Sequence, residues 1–378
     1  MSEVAVIYGS QVEKMVRQLM EETGALDQLR PDDLVMIKPN LVESRENWIG
    51  VDTDPRVIEA LVKVLKDGGV HRITIGDGSG MGNSATKAFE YCGYGDLARR
   101  YGLRLVDLDK DEFIKKPVSI AGPFKTLEIA RTVLECDYLI NVPVLKAHNQ
   151  TLVTCSLKNL KGTMPKSMKS AFHSVNLHKA IAQLNSILVP HLTIVDGLQG
   201  DLHSESGHDP VVMDRIMLGT NPVEVDSVAA DMLGYEPRNI RHIAYSADAG
   251  LGTCDLKEIT IRSLNWPIGT KRFNPPRHYS ERFPCAISAE GACCTCMGSL
   301  IFALERLKEQ TLLSERLSFF IGQNPKIPSG KKTLTIAVGQ CASNQDGADI
   351  RIDECPPTAG SIYQRVASMI SKRGKSSP

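Results

Sequence analysis

Aromatic residues are scarce, at 5% of 378 residues, which leaves the core to aliphatic side chains. Neither charge is in excess. Lys and Arg total 44 and so do Asp and Glu, so net charge gives no argument for nucleic acid or an anionic membrane, and neither is expected as a partner. A local anion site is compatible with that neutrality. No window approaches the roughly 18 uninterrupted apolar residues of a membrane span. The opening stretch MSEVAVIYGS lacks both a basic n-region and a long apolar h-region, and reads as a first strand rather than a signal peptide. No internal repeat is present. These absences make a cytoplasmic protein the expectation. Thiols stay reduced there, and clustered cysteines bind metal or do redox work more often than they form disulfides.

What is present is ordinary globular composition, 42% hydrophobic and 23% charged. At roughly 100–200 residues per domain, the length suggests two domains, or one large α/β domain with an appendage. The first half alternates aliphatic runs with amphipathic helical stretches. The runs LVMIKPN (34–40), RITIGDG (72–78), LRLVDLD (103–109), YLINVPV (138–144) and LTIVDGL (192–198) end in Pro, Gly, Asp or Asn and read as strands. Between them DPRVIEALVKVLKDGG (54–69), SVNLHKAIAQLNSIL (174–188) and NPVEVDSVAADMLG (221–234) read as helices. The alternation predicts an α/β fold, a mostly parallel sheet with helices on both faces. Near 265–285 the sequence turns Pro-rich and aperiodic, and beyond it the cysteines concentrate. The expected organisation is a ligand-binding domain over 1–265, a linker over 266–284, a small cysteine-bearing α/β domain over 285–372 and a frayed tail over 373–378.

Each aliphatic run ends in polar groups at its C-terminal side. They are Lys38 and Asn40, then Asp77 among glycines, then Asn141 followed by Lys146 and His148, then Asp196. In open parallel sheets ligands bind outside the carboxyl ends of the strands. Lysines there suit a phosphate or carboxylate. The segment 146–167 reads as a loop and short helix and adds Lys158 and Asn159; the loop DGLQGDLHSESGHDP adds further acids and histidines. The pattern assigns Lys38, Asn40, Asp77, Asn141, Lys158 and Asn159 to substrate binding, and Lys146, His148 and Asp196 to catalysis as acids, bases or anion holders. Asp and Gly after strands also form turns and helix caps, so each residue alone has a structural reading as well. The stretch GDGSGMGN (76–83) is neither a Walker A loop nor a dinucleotide fingerprint.

The stretch GACCTCMGSL (291–300) holds the spacing C-x-x-C in Cys293 and Cys296, which lets a tight turn bring both sulfurs to one metal. Cys294 adjoins Cys293, and neighbouring side chains point apart, so it is the spare. Helical spacing after Cys296 puts that thiol near a helix N-terminus, where the dipole favours thiolate. Cys341 ends a strand, and Cys355 precedes Pro356-Pro357. A cysteine followed by proline recurs at iron–sulfur ligands. The four read as one site, [4Fe–4S] first and structural zinc second, with a redox dithiol or inert packing as further uses. Cys92, Cys136, Cys155 and Cys254 are scattered and read as small buried hydrophobes.

VMIKPNL, GDGSG, LINVPVLKAH, LKNLKGTMP, FHSVNLHKAIAQL, IVDGL and NPVEVDSVAADMLG resemble, in order, the blocks of the domain-of-unknown-function family 362, over about residues 30–250. GACCTCMGSL, VGQC and CPPT resemble the cysteine-bearing end of its longer, iron–sulfur-associated members. The CPP turn is also similar to one that holds a [4Fe–4S] cluster in hydrogenase small subunits. The chain departs from the family in the loop after Asp196, where DLHSESGHDP replaces a Glu-Gly-x-Gly-Pro-like signature. The family implies no established reaction. The expectation is an iron–sulfur protein acting as a redox or cluster-dependent enzyme on a small anionic ligand. The alternatives are a non-enzymatic electron-transfer partner of a larger redox complex, and a zinc-stapled transferase or hydrolase.

Overall fold

The computed structural model describes residues 3–43, 46, 48–80, 83–148, 151–173, 175–203, 205, 210–265, 272–274, 282–289, 292, 294–323, 325–327, 333–344, 346–355 and 357–374. The chain divides into two compact units, Met1–Pro275 and Pro276–Pro378.

The first unit has twelve strands among its described residues. In chain order they are β1 (Glu3–Tyr8), β2 (Leu34–Pro39), β3 (Arg72–Asp77), β4 (Arg104–Asp107), β5 (Phe113–Pro117), β6 (Thr126–Ala130), β7 (Tyr138–Val142), β8 (Lys146–His148), β9 (Leu152–Thr154), β10 (Leu192–Asp201), β11 (Pro210–Gly219) and β12 (Thr260–Ser263). Eight form one sheet in the order β12-β1-β11-β10-β7-β2-β3-β4. Every pairing from β10 to β4 is parallel, as is β1 with β12, and β11 alone runs against both its neighbours. Alternate residues of one strand feed different cores. Val35 and Ile37 pack beneath the helices Val12–Glu22 and Pro55–Asp67, while Met36 joins Leu139 beneath Leu177–Asn185 and Pro222–Met232. The sheet is therefore covered on both faces, as its unbroken aliphatic runs require.

Local chemistry fixes the elements. Asp54 caps the helix Pro55–Asp67 by accepting from Arg56 N at 2.9 Å, and Pro55 supplies a first residue with helical φ. Gly69, at φ +87°, ends it. Two segments differ from their sequence reading. Lys146 and His148 lie on a β8–β9 hairpin, not in a loop. The chain after Asp196 continues as strand to Asp201 and pairs with β11, with a register shift between Gly197 and Gln199. Strand β11 escapes the hydrophobic pattern because Asp214-Arg215 interrupts it. Arg215 is nevertheless fully buried, its guanidinium 5.3 Å from the Tyr8 ring centre and 4.9 Å from that of Phe273.

The second unit carries a four-stranded parallel sheet in chain order, β13 (Ala286–Ser288), β14 (Leu317–Ile321), β15 (Leu334–Val338) and β16 (Ile350–Ile352). The helices Cys294–Glu309 and Ala359–Gly374 complete a separate core, through Leu300, Leu304 and Leu307 on the first and Ile362 and Val366 on the second. No helix among the described residues is long and apolar enough to cross a membrane.

Candidate functional site

The polar residues predicted at the strand ends do gather at the carboxyl edge of the large sheet, in two arrangements of different character. The first is closed. Lys38 Nζ, at the end of β2, lies 2.7 Å from Asp77 Oδ1 at the end of β3. It also donates to Pro39 O at 3.0 Å and Asn159 Oδ1 at 3.3 Å. Asp77 further accepts from Leu41 N and Gly78 N, both at 2.8 Å. Asn159 donates to Asn141 Oδ1 at 2.8 Å, and Asn141 donates to Ser156 O and Oγ. Burial pushes Lys38 down and Asp77 up, and each opposes that shift in the other. Four groups assigned to substrate binding are thus committed to one another.

The second arrangement is built around Val51-Asp52-Thr53. Lys146, fully buried on β8, donates to Val51 O at 2.6 Å and Glu205 O at 3.1 Å. Asp52 accepts from Val42 N at 2.6 Å and Glu43 N at 3.3 Å. Thr53 exchanges two bonds of 2.8 Å with Asn40 through its hydroxyl and its N–H. Burial pushes Lys146 down to about 8, against the pull of Asp52, while Lys158 adds to the depression and Glu205 and Glu43 oppose it. Burial pushes Asp52 up to about 7, against Lys146. His148 lies beside this group, with Nδ1 accepting from Thr151 N at 3.1 Å and Nε2 3.9 Å from Glu205 Oε1. Lys158 is close enough to Lys146 for its charge to be felt there.

A cavity of about 300 Å³ opens beside Asp52. Its lining includes Trp48, Asp54, Arg56, Asp196, Leu198 and Gln199. Asp196 accepts from Asp54 N at 2.8 Å and Leu198 N at 3.1 Å. Burial, with the Asp54 carboxylate beside it, pushes Asp196 up to about 7. Arg56 grips Asp54, its closest contact 2.6 Å. Sequence reasoning missed Asp52, Asp54 and Arg56. The stretch GVDTDPR reads only as the approach to a proline-led helix, and nothing in it marks a carboxylate that faces a cavity. His208 and Asp209 of the loop after Asp196 lie outside the described residues.

In the second unit Cys296 occupies the first turn of Cys294–Glu309. Cys341 follows β15 in the short helix Gln340–Ser343, and Cys355 follows β16. Gly339 N donates to Ile352 O at 2.8 Å and Gln340 N to Glu354 O at 3.1 Å, stitching these two turns together. A Cβ at Gly339 would lie 3.6 Å from Cys296 Sγ and 3.9 Å from both Glu354 O and Pro357 Cδ. Cys296 thus approaches the turns that carry Cys341 and Cys355. Cys296 is buried, and Cys341 and Cys355 are exposed. Cys293 lies outside the described residues. Among the described residues no three His, Cys, Asp or Glu side chains form a group able to hold a metal ion. Cys285 is packed, and burial pushes its thiol up to about 11.

A family described as a domain of unknown function, DUF362, matches residues 35–231, more than half of the chain. A thylakoid-associated protein of Synechocystis is 25% identical over 265 residues, covering 68% of this chain and 79% of that protein. Among solved structures, the lactate racemase apoprotein from Thermoanaerobacterium thermosaccharolyticum aligns with a TM-score of 0.39 at 13% identity, over 57% of this chain and 54% of the racemase. A protein from Thermotoga maritima aligns with a TM-score of 0.42 at 10% identity, over 82% of this chain and 69% of that protein.

Proposed function

We propose that this chain, which belongs to the DUF362 family, is an iron–sulfur protein whose large sheet binds a small anionic ligand at its carboxyl edge, with electron transfer as the reaction class. The observation that carries the reading is the approach of Cys296 Sγ to Gly339, between the turns bearing Cys341 and Cys355. Cys293, Cys296, Cys341 and Cys355 would hold a [4Fe–4S] cluster, and four thiolates are a donor set that suits it. When bound, that group supplies one-electron transfer. The helix terminus at Cys296 favours the thiolate a metal needs. Gly339 adds no side chain where these turns meet, and sites of this kind commonly close only as metal binds.

At the sheet edge, Lys158 offers a cation to the ligand's anionic group. Lys146 and Asp52, drawn toward neutral pH from opposite sides, can exchange a proton there. His148, beside Glu205, and Asp196, on the cavity wall, are the further proton carriers.

Anaerobic purification with metal analysis and absorption spectroscopy tests the reading. A brown protein absorbing near ~400 nm with about four irons per chain is expected. A colourless chain with about one zinc favours the zinc-stapled transferase or hydrolase. Iron without ligand stabilisation in a thermal-shift screen favours a non-enzymatic electron-transfer partner.

A further inference from the structure

We propose that His178 and His242 form an acid-sensitive switch: when the pair takes up a proton, the helices Leu177–Asn185 and Arg241–Asp248 part, and Asp226 loosens its hold on the turn that carries Lys158 and Asn159. The switch itself is independent of the ligand reading above, and only its effect on binding rests on that reading.

The two imidazoles stack between these packed helices, with ring centres 6.1 Å apart and planes inclined by 19°. His242 is fully buried. Each histidine is the second residue of its helix, in the first turn, where the helix dipole disfavours a positive charge. Arg241, beside His242 in the chain, adds a cation that acts on His178. Asp226, on the helix Pro222–Met232, faces the pair with its Oδ2 3.8 Å from His242 Nε2. Other charges on the packed elements are engaged elsewhere. Lys179 lies over the Tyr245 ring and Lys161 over that of Phe172. Arg238 pairs with Asp248 at 2.7 Å, Asp231 with Arg272 at 2.6 Å and Lys169 with Asp109 at 2.7 Å. Lys166 also turns to Asp109, and Glu224 accepts from the Thr253 backbone.

A proton added to either ring therefore meets a second imidazole, Arg241 and the positive ends of two helices, with little water to screen them. Burial, with His242 and Arg241 beside it, pushes His178 down to about 3, against about 6.5 in an unfolded chain. The folded pair resists protonation, so its stability is complete above about pH 6.5 and is lost progressively as pH falls toward about 3. Parting of the helices opens the rings to water and relieves that cost. Asp226 passes the change on. Its Oδ1 accepts from Ser156 N at 2.6 Å and its Oδ2 from Leu157 N at 3.1 Å, and the Cys155 thiol lies against it as well. A cationic His242 competes with Leu157 for that same Oδ2. Ser156 and Leu157 open the short helix Ser156–Asn159, which bears Lys158 and Asn159.

Amide hydrogen exchange of the full, ligand-free chain tests the switch, at about pH 7.5 and about pH 5, with rates corrected for intrinsic exchange. In wild type, protection at Ser156 and Leu157 should fall by about tenfold or more at the lower pH; complete exposure of one imidazole gives about thirtyfold. Protection at Met36 in β2 should not fall with it, because Asp196 and Asp52 stabilise the fold as pH drops. His178→Phe keeps a stacking ring without the proton and should lose most of the pH difference. Unchanged or rising protection at Ser156 and Leu157 in wild type overturns the switch, and this comparison decides even where the variant does not fold. A His178→Phe profile identical to wild type overturns it too, as does a fall that Met36 shares in full, the mark of global acid unfolding. Failure to find any stabilising anion by thermal shift would sink the sheet-edge reading and leave the switch standing.

Discussion

Lys38 Nζ lies 2.7 Å from Asp77 Oδ1, with both side chains sealed from solvent. A lysine ending a parallel strand looks like a grip for an anion. Here its charge is answered from the neighbouring strand, and the remaining donors meet Pro39 O and Asn159. The pair ties β2 to β3 and anchors the 156–163 segment.

Breaking that pair on one side should therefore cost far more than removing it whole. Asp77→Asn leaves an uncompensated buried ammonium and should lower unfolding free energy by about 3–5 kcal/mol. The double variant Lys38→Met/Asp77→Leu should recover much of the loss. Urea denaturation of the three proteins decides, and additive losses would contradict a coupled pair.

Gly162 is the position where this network tolerates no side chain. A Cβ there would run into Asp77 Oδ1 and approach Lys38 Nζ to 2.8 Å. Gly162→Ala should destabilise by about 1–3 kcal/mol through overpacking. Gly93→Ala is a poor control because its φ is +74°. Gly95→Ala, whose Cβ would meet only Arg99 Nη1 at 3.8 Å, should cost little.

Asp196 makes a pH prediction. Its folded carboxyl holds a proton up to about pH 7, whereas the unfolded one releases it near pH 4. Between those values the folded state binds the extra proton, so stability falls as pH rises. The contribution is complete below about pH 4 and lost on passing about pH 7. Asp196→Asn should flatten that part of the stability curve, by up to about 4 kcal/mol across the window. Asp52, pushed up to about 7, adds its own share and should leave a residual slope. Identical pH profiles for wild type and variant would show that Asp196 titrates normally.

In the second unit the two neighbouring cysteines should behave differently. Cys294→Ser should retain bound metal, and Cys296→Ser should lose it, measured by metal content after anaerobic purification. Equal loss from both would mean that the wrong pair of thiols is assigned. Gly339→Val should also lower metal content. It places a branched side chain 3.6 Å or less from Cys296 Sγ and forces it to φ +87°, a region costly for any residue with a Cβ.

The strands and helices that position the site were legible because each carries its own period and punctuation. VMIKPN, TIGDG and INVPV end one or two residues beyond the ends of β2, β3 and β7, and the helix begun by Asp54-Pro55 closes at Gly68-Gly69. Strand β11 was hidden because a buried Arg215 breaks the apolar pattern from inside the core. Asp52 and Asp54 were hidden for a different reason. A carboxylate before a helix is so often a cap that its second use, facing a cavity, leaves no mark in the sequence.

The sequence by itself determined an aliphatic α/β chain with a parallel sheet, the polar groups at its strand ends, and a C-x-x-C motif followed by two further cysteines. Those features follow from local spacing, which the chain alone sets. Only the tertiary structure decided which strand-end groups satisfy one another and which remain available. Lys38, Asp77, Asn141 and Asn159 close into a network because parallel registry of β2 with β3 and β7 brings their ends level. Those partners lie up to about 120 positions apart in the chain, so local spacing could not reveal them.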